Sequence, residues 1–536
     1  MELLSAQMGD YMTTFEDFMK PYGLVSKIDA FGYLDYLKTH PEEGRKQGKV
    51  VLVTADTPLK ASRGEGKTTT TIALIDALRA RGVDAAAVLR QPSMGITAAG
   101  SKGGASGGGK ASLAHPELVD WGLCGEMAAI ENAQNLLVSF AEKAADEGLL
   151  DTILLPRVSE VPSRSLRQIA VDRGKSNRSE RVVLTPTCEL MQIVVLSRSM
   201  DEIAQRVAAM TAGTKDGKPV TFGSFVDLWR ITNMLGGAVQ PAYMTTQAGS
   251  PVYVHCGPFA NVSLGIPSLV SVEMACALHD VVVVEAGYGA DAGAQKWLDI
   301  AAREFGAAWP TAAVVVTRAT TWRDDPALRW RYPFHINRLE GLGIATFPLV
   351  NLWEGEDGEI PDLRETAQQL GFRRPIIGNL FRDGGQVVSD QLNDLITALG
   401  VTADGVPAGS LDAESGAQTA QAQVVQDLQS HQGIDIVDQM RWIARSAYGV
   451  PAERVLEGPL FADSLAQARS LCQGEGLDLN DMVPVAVKSP ATMTDNDNAP
   501  ENERTVTLKK MEVHTGAGLV QVNLTTSLTT PMPKIV

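Results

Sequence analysis

The chain has 536 residues, 44% hydrophobic and 21% charged, with a net charge of −16 at pH 7. That length exceeds one domain and supports large apolar cores, and the acidic balance excludes nucleic acid as an expected partner. No stretch reaches the roughly 18 uninterrupted apolar residues of a membrane span, and five scattered cysteines without Cys-x-x-Cys spacing read as reduced thiols in a cytoplasm.

Residues 1–45 read as helical and then loop, with Leu24, Ile28 and Tyr33 loosely amphipathic and Pro41 breaking the pattern. The opening segment carries acids early and does not read as a signal peptide. From Lys49 the character changes. A short apolar run, Val50 to Val53, predicts a buried parallel strand. It leads to Gly64-Glu65-Gly66-Lys67-Thr68-Thr69 and then to a helical pattern. Strand, glycine-rich turn, Lys-Thr and helix form the phosphate-cradling layout. Glycines let backbone N–H groups approach phosphates, Lys67 reaches the outer ones, and the Thr68 hydroxyl can hold Mg²⁺. The positive end of the helix dipole adds to this. The general pattern wants glycine five residues before Gly66, where this chain has Ala61.

Apolar runs then alternate with helical patterns to about residue 360, which predicts a parallel α/β sheet. The expected strands are 50–54, 85–89, 181–185, 252–255, 280–285, 312–317 and 344–351. The expected helices are 67–81, 125–143, 200–210 and 292–305. Ligands of open parallel sheets sit beyond the carboxyl ends of the strands. Arg90 follows one strand and can clamp a carboxylate or phosphate bidentately. The run Ser101–Lys110, very rich in glycine, reads alone as a linker. Inside an α/β core it can wrap an anion, with Lys102 as the substrate-binding candidate. Glu285 ends another strand and can hold Mg²⁺ or its water, whereas Asp291 reads equally as a helix N-cap. Tyr288, Trp353 and Phe381 can stack a planar ligand, although a single aromatic is more often core.

Beyond 360 the expected order is a helix–loop–helix over 361–400, turning at 381–385, then a small, polar, exposed excursion over 402–422. Helices near 438–447 and 464–471 follow, and a terminal hairpin over 505–513 and 519–523. The fold expected is α/β: a large P-loop parallel-sheet nucleotide-binding domain over 1–360 and smaller C-terminal α/β domains, with a middle unit at 361–430 and the last at 431–536.

Several stretches together resemble the formate–tetrahydrofolate ligase family, from about Lys49 to Lys534. They are GEGKTTTT, LRQPSMG, KGGASGGG, SRSLRQIAV, CELMQIVVLS, DGKPVT, VYVHCGPFANVSLG, EAGYGADAGAQKW, VVVTRAT and the terminal VHTGAG and MPK. The resemblance implies an ATP-dependent ligase, often a homotetramer, aided by Mg²⁺ and a monovalent cation. ATP phosphorylates formate to formyl phosphate, and N10 of tetrahydrofolate takes the formyl group. By position Lys67 and Thr68 match the nucleotide-phosphate residues and Arg90 the arginine near formyl phosphate. Tyr288, Trp353 and Phe381 fall where the family places aromatics around the pterin. The chain departs from the family at Gln91 (usually Glu), Leu264 (His) and Lys110. These departures motivate two alternatives: a paralogue using another carboxylate or amine, and a nucleotide-binding switch or scaffold without turnover.

Overall fold

The computed structural model describes residues 14–41, 44–56, 64–93, 106–160, 168–172, 177–260, 263–303, 305–324, 328–369, 371–404, 437, 441, 455–457, 461–474, 484–488, 505–516 and 519–529. Its centre is a ten-stranded sheet. In chain order the strands are β1 (Met19–Tyr22), β2 (Val25–Ile28), β3 (Lys49–Ala55), β4 (Ala85–Leu89), β5 (Ala242–Thr245), β6 (Pro251–Val254), β7 (Val281–Glu285), β8 (Ala312–Arg318), β9 (Ala345–Asn351) and β10 (Ile376–Gly378). Across the sheet they run β1-β2-β5-β6-β4-β7-β3-β8-β9-β10. The seven from β6 to β10 are parallel, and β1, β2 and β5 add an antiparallel edge.

The parallel strands are apolar on both faces because both faces are covered. In β3, Val50 and Leu52 enter a core shared with helices α1 (Ala30–Thr39), α3 (Glu126–Asp146) and α4 (Leu269–Leu278). Val51, Val53 and Ala55 face the opposite core, filled by Ile72, Leu74, Ile75 and Leu78 of α2 (Lys67–Ala80). This alternation is the period-2 geometry of a strand, and it fixes β3 between two packed layers with its carboxyl end at the phosphate turn.

The expected strands at 50–54, 85–89, 252–255, 280–285, 312–317 and 344–351 all appear in the central sheet, with ends shifted by a residue or two. Residues 181–185 do not join it. Asn177–Val183 pairs instead with Gln168–Asp172 and Arg157–Val158 in a separate three-stranded sheet. The amino-terminal arm is a hairpin followed by a helix. Gly23, at φ 59°, makes the turn between β1 and β2, and Lys27 is buried because its ammonium meets Glu126 at 3.1 Å. The helix expected over 292–305 is present as a continuous helical stretch over 290–302, wound as π-helix at Ala290–Ala294 and Trp297–Ala302. The central sheet takes its last strand from residues 376–378, and α-helices at Ile360–Gln369 and Asn393–Leu399 flank it. The terminal hairpin is present as Thr505–Gly516 and Leu519–Thr529 within a four-stranded sheet. Lys102, Ala61, all but residue 441 of the helix expected near 438–447 and most of the excursion at 402–422 lie outside the described residues. Among the described residues no helix is long and apolar enough to cross a membrane.

At the amino ends of the strands, away from the phosphate turn, Asp84 gathers two cationic side chains and a histidine ring. Lys46 lies at 2.7 Å, Arg79 at 3.0 Å and the His279 ring at 3.0 Å. Partial burial alone would raise the Asp84 pKa; hydrogen bonds from Lys46 and His279, with their charges, outweigh it and hold the group at about 2. A carboxyl depressed on folding contributes stability above its unfolded value, and loses that contribution as pH falls through its folded value. Asp84→Asn is therefore expected to cost about 1 kcal/mol at pH 7, after allowing for solvent screening. Urea unfolding at several pH values should show that deficit shrinking between about pH 4 and pH 2, and a pH-independent deficit would contradict the assignment.

Candidate active site

The phosphate turn is built from backbone. β3 ends at Ala55, and Gly64–Gly66 lead into α2 at Lys67. Gly66 caps the helix at φ 91°, a left-handed conformation that favours glycine. A β-carbon there would overlap Asn351 Nδ2 at the end of β9, so both conformation and space demand glycine. Glu65 is buried beneath the turn. The first N–H groups of α2 have no partner within the helix and face the crevice with the dipole's positive end.

Register then sets the chemistry. Glu285 pairs with Val53 across β7 and β3, and Val284 with Val88 across β7 and β4. Arg90, just past β4, therefore emerges beside Glu285. Its Nη2 donates to Glu285 Oε1 at 2.6 Å and its Nη1 to the Pro258 carbonyl at 3.2 Å. The other carboxylate oxygen, Oε2, accepts from the Thr68 hydroxyl at 2.7 Å. One buried carboxylate thus ties the arginine after β4 to the first turn of the phosphate helix. Gly287 makes room, since a β-carbon there would stand 2.5 Å from Arg90 Nη1. Loop 255–258 is stitched to the Arg90 loop through Gln91 N donating to Cys256 O at 2.7 Å.

Burial would raise the Glu285 pKa, but Arg90, Thr68 and Lys67 together hold it below the usual carboxylate range. Burial lowers the Lys67 pKa, with Arg90 pushing the same way and Glu285 and Glu65 opposing. The crevice therefore sets two cations, Lys67 and Arg90, against two carboxylates, Glu285 and Glu65, and the open N–H groups and positive dipole end of α2 supply the remaining attraction for an anionic substrate. Oxygen donors from Thr68 and Glu285 suit a hard cation such as Mg²⁺. Among the described residues no cluster of three or more His, Cys, Asp or Glu could hold a metal alone, so a metal here would share its shell with phosphate oxygens.

The structure brings Lys67, Thr68, Arg90 and Glu285 into one cluster. Tyr288 is half-buried on the loop after β7, at φ 62°. Trp353 follows β9, 41% exposed, with the Arg318 guanidinium 4.9 Å from its ring centroid. β3 and β8 lie between β7 and β9, so the loops carrying Tyr288 and Trp353 start about 14 Å apart by strand spacing. Phe381 stands on the short helix Leu380–Asp383, against Gly108 and Gly109, and its carbonyl accepts from Lys110 N at 2.9 Å. The contributions of Asn351 and the Pro258 carbonyl were not evident from residue type, whereas the glycines of 285–291 read as allowing close backbone approach, the part Gly287 plays. Asn351 and Pro258 lie at strand ends that the parallel-sheet rule singles out, which is the one signal that reaches them.

Comparison with known proteins bears on this geometry. The sequence profile of the family described as formate–tetrahydrofolate ligase matches residues 6–326. The chain is 71% identical over 525 residues to the formate–tetrahydrofolate ligase of Bifidobacterium longum (strain NCC 2705), spanning 98% of this chain and 100% of that protein. It is 38% identical over 307 residues to that of Acidiphilium cryptum (strain JF-5), covering 55% of this chain and 53% of that protein. The protein of the same name from Staphylococcus aureus (strain JH9) is 37% identical over 411 residues, 72% of each.

Proposed function

The chain belongs to the formate–tetrahydrofolate ligase family, and from that premise we propose that its crevice runs an ATP-dependent formylation in two steps. In the first, a formate oxygen attacks the γ-phosphorus of ATP, the bond from that phosphorus to the β–γ bridging oxygen breaks, and ADP leaves. In the second, N10 of tetrahydrofolate attacks the formyl carbon, the carbon–oxygen bond to phosphate breaks, and the N10 proton is lost as phosphate departs. A carboxylate resists nucleophiles, and phosphorylation converts one of its oxygens into a leaving group. The protein's contribution is position and charge.

Lys67 and the open N–H groups of α2 hold the outer phosphates. Arg90 neutralises formate and then the acyl phosphate beside it. Glu285 keeps Arg90 aimed and its charge fixed, so little rearrangement is needed when charge moves. Thr68 and Glu285 would hold the Mg²⁺ that accompanies ATP, which when bound neutralises the β- and γ-phosphates. Trp353, with Arg318 against its ring, and the more exposed Phe381 would stack the pterin, and Tyr288 completes the set the family suggests. A homo-oligomer, a monovalent cation and a cytoplasmic setting rest on family resemblance, the last supported by four described cysteines without disulfides.

The observation that carries the reading is the Arg90–Glu285–Thr68 chain of hydrogen bonds, 2.6 and 2.7 Å long. It ties a carboxylate clamp to a phosphate helix. Purified protein with ATP, Mg²⁺, formate and tetrahydrofolate is expected to yield 10-formyltetrahydrofolate in proportion to ADP. Absence of product under saturating substrates, or product that does not depend on formate, would reject the reading.

A further inference from the structure

Lys296 is fully buried, yet no carboxylate among the described residues pairs with it. Its ammonium donates to two main-chain carbonyls, Ala260 at 2.7 Å and Ser263 at short range. Burial pushes its pKa down to about 7. Taking an ammonium out of water without a counter-charge is unfavourable by several kcal/mol, offset here only by its hydrogen bonds to those two carbonyls. The cost needs a compensating role, and the surroundings supply one.

Ala260 and Ser263 belong to the turn that leaves β6, and that turn touches the reaction crevice at both ends. At its start the Pro258 carbonyl accepts from Arg90 Nη1 at 3.2 Å. At its end the Gly265 carbonyl accepts from Gly287 N at 2.8 Å, directly beneath the arginine. Ser263 is held from outside as well, its hydroxyl donating to the Pro186 carbonyl at 3.0 Å. Lys296 itself sits on the helical segment after β7, the strand that ends in Glu285. Gly293 N, on the same segment, donates to Gly287 O at 3.0 Å. The lysine therefore ties the two walls around the Arg90 guanidinium, one bearing Pro258 and the other Glu285.

We propose that Lys296 is a positioning residue for the acyl-phosphate step: its ammonium fixes the Ala260 and Ser263 carbonyls, and through the neighbouring Pro258 carbonyl it sets the aim of Arg90. The inference rests on Arg90 being the clamp for formate and its phosphate. It implies an effect on formate that exceeds the effect on ATP, because the phosphate turn at Gly64–Lys67 is anchored separately.

Lys296→Met tests this in the full chain. The expected result is a fall in kcat/KM for formate of about 10- to 100-fold, the range that misaligning a catalytic group by about 1 Å produces. KM for ATP should stay within about twofold, and any fall in the unfolding midpoint, from the two carbonyls left without a donor, should be modest because the desolvated ammonium is removed with it. Lys296→Ala supplies an independent readout, since it leaves the two carbonyls facing a cavity of lysine shape. Added methylammonium should recover formate turnover in that variant by more than its effect on the unsubstituted enzyme, with sodium as the control. A formate kcat/KM within about twofold of the unsubstituted protein in Lys296→Met would overturn the proposal. So would parallel losses for ATP and formate that track a lowered midpoint, because those mark a purely structural residue. If Arg90→Gln loses formate turnover while Lys296→Met keeps it, this inference alone fails. If the unsubstituted protein makes no formyl product, the underlying functional reading fails instead.

Discussion

Replacing Lys67 by alanine is expected to lower kcat/KM for ATP by about 10³-fold, the scale of removing one preorganised charge from a transition state. The fold should survive. Alanine is the strongest helix former, and α2 is held by Ile72, Leu74, Ile75 and Leu78 rather than by its first residue. Removing the ammonium also removes the unfavourable desolvation that lowers its pKa, so stability should hold or rise slightly. Glu285 keeps Arg90 and Thr68 as partners, which confines the lesion to the phosphates. Steady-state turnover, ADP affinity by calorimetry and far-ultraviolet circular dichroism would check this together. Turnover within about tenfold of the unsubstituted protein, with ADP still bound tightly, would refute the role given to Lys67.

Arg90→Gln should act on the other half of the crevice and on stability at once. Formate kcat/KM is expected to fall by about 10²- to 10³-fold, with KM for ATP changed by less than about fivefold. The Glu285 carboxylate, 3% exposed, would then be buried without its principal cation. Breaking a buried pair from one side is destabilising by about 3–5 kcal/mol. Glu285 is depressed in the native protein, so its contribution is present above the unfolded carboxyl pKa and lost as pH falls through the folded value. The Arg90→Gln deficit should accordingly be largest near neutrality and shrink steadily as pH falls, because burial raises the pKa of a Glu285 that has lost its cation and protonates it above the usual carboxylate range. The double variant Arg90→Gln, Glu285→Gln should regain much of the stability and none of the activity. If stability and activity recovered together, the pair would be structural rather than catalytic.

Much of this crevice could be read before any coordinates. The run Val50–Val53 followed by the glycine turn and Lys67-Thr68 admits few folds. An acid or arginine at the end of an apolar run in an alternating α/β pattern has one place to go, the carboxyl edge of the sheet. That is why Arg90 and Glu285 were legible as separate candidates. Their pairing was not, because it depends on β7 inserting between β4 and β3, an order set by long-range packing. The hairpin β1–β2 escaped because its strands are four residues long and Lys27 looks like a surface residue. The distant Glu126 and the Gln240 carbonyl make its burial tolerable. Strand β5 is equally short, and it lies beside β2 and β6, far from either in sequence or across a tight turn. Residues 181–183 have the composition of a core strand yet pair in a small separate sheet, since local preference does not choose partners. Lys296 carried no signal, because a lysine on a helical stretch is ordinarily solvated.

The contact between Gly66 and Asn351 has a thermodynamic corollary. Asn351 fills the space where a side chain at 66 would go, and Trp353 is two residues further along the same backbone. A triphosphate at the turn that displaced this amide would be felt along the backbone that carries Trp353, and so by a flat ligand bound on the indole. Whatever factor the first ligand imposes on the second's affinity, the second must return to the first in equal measure.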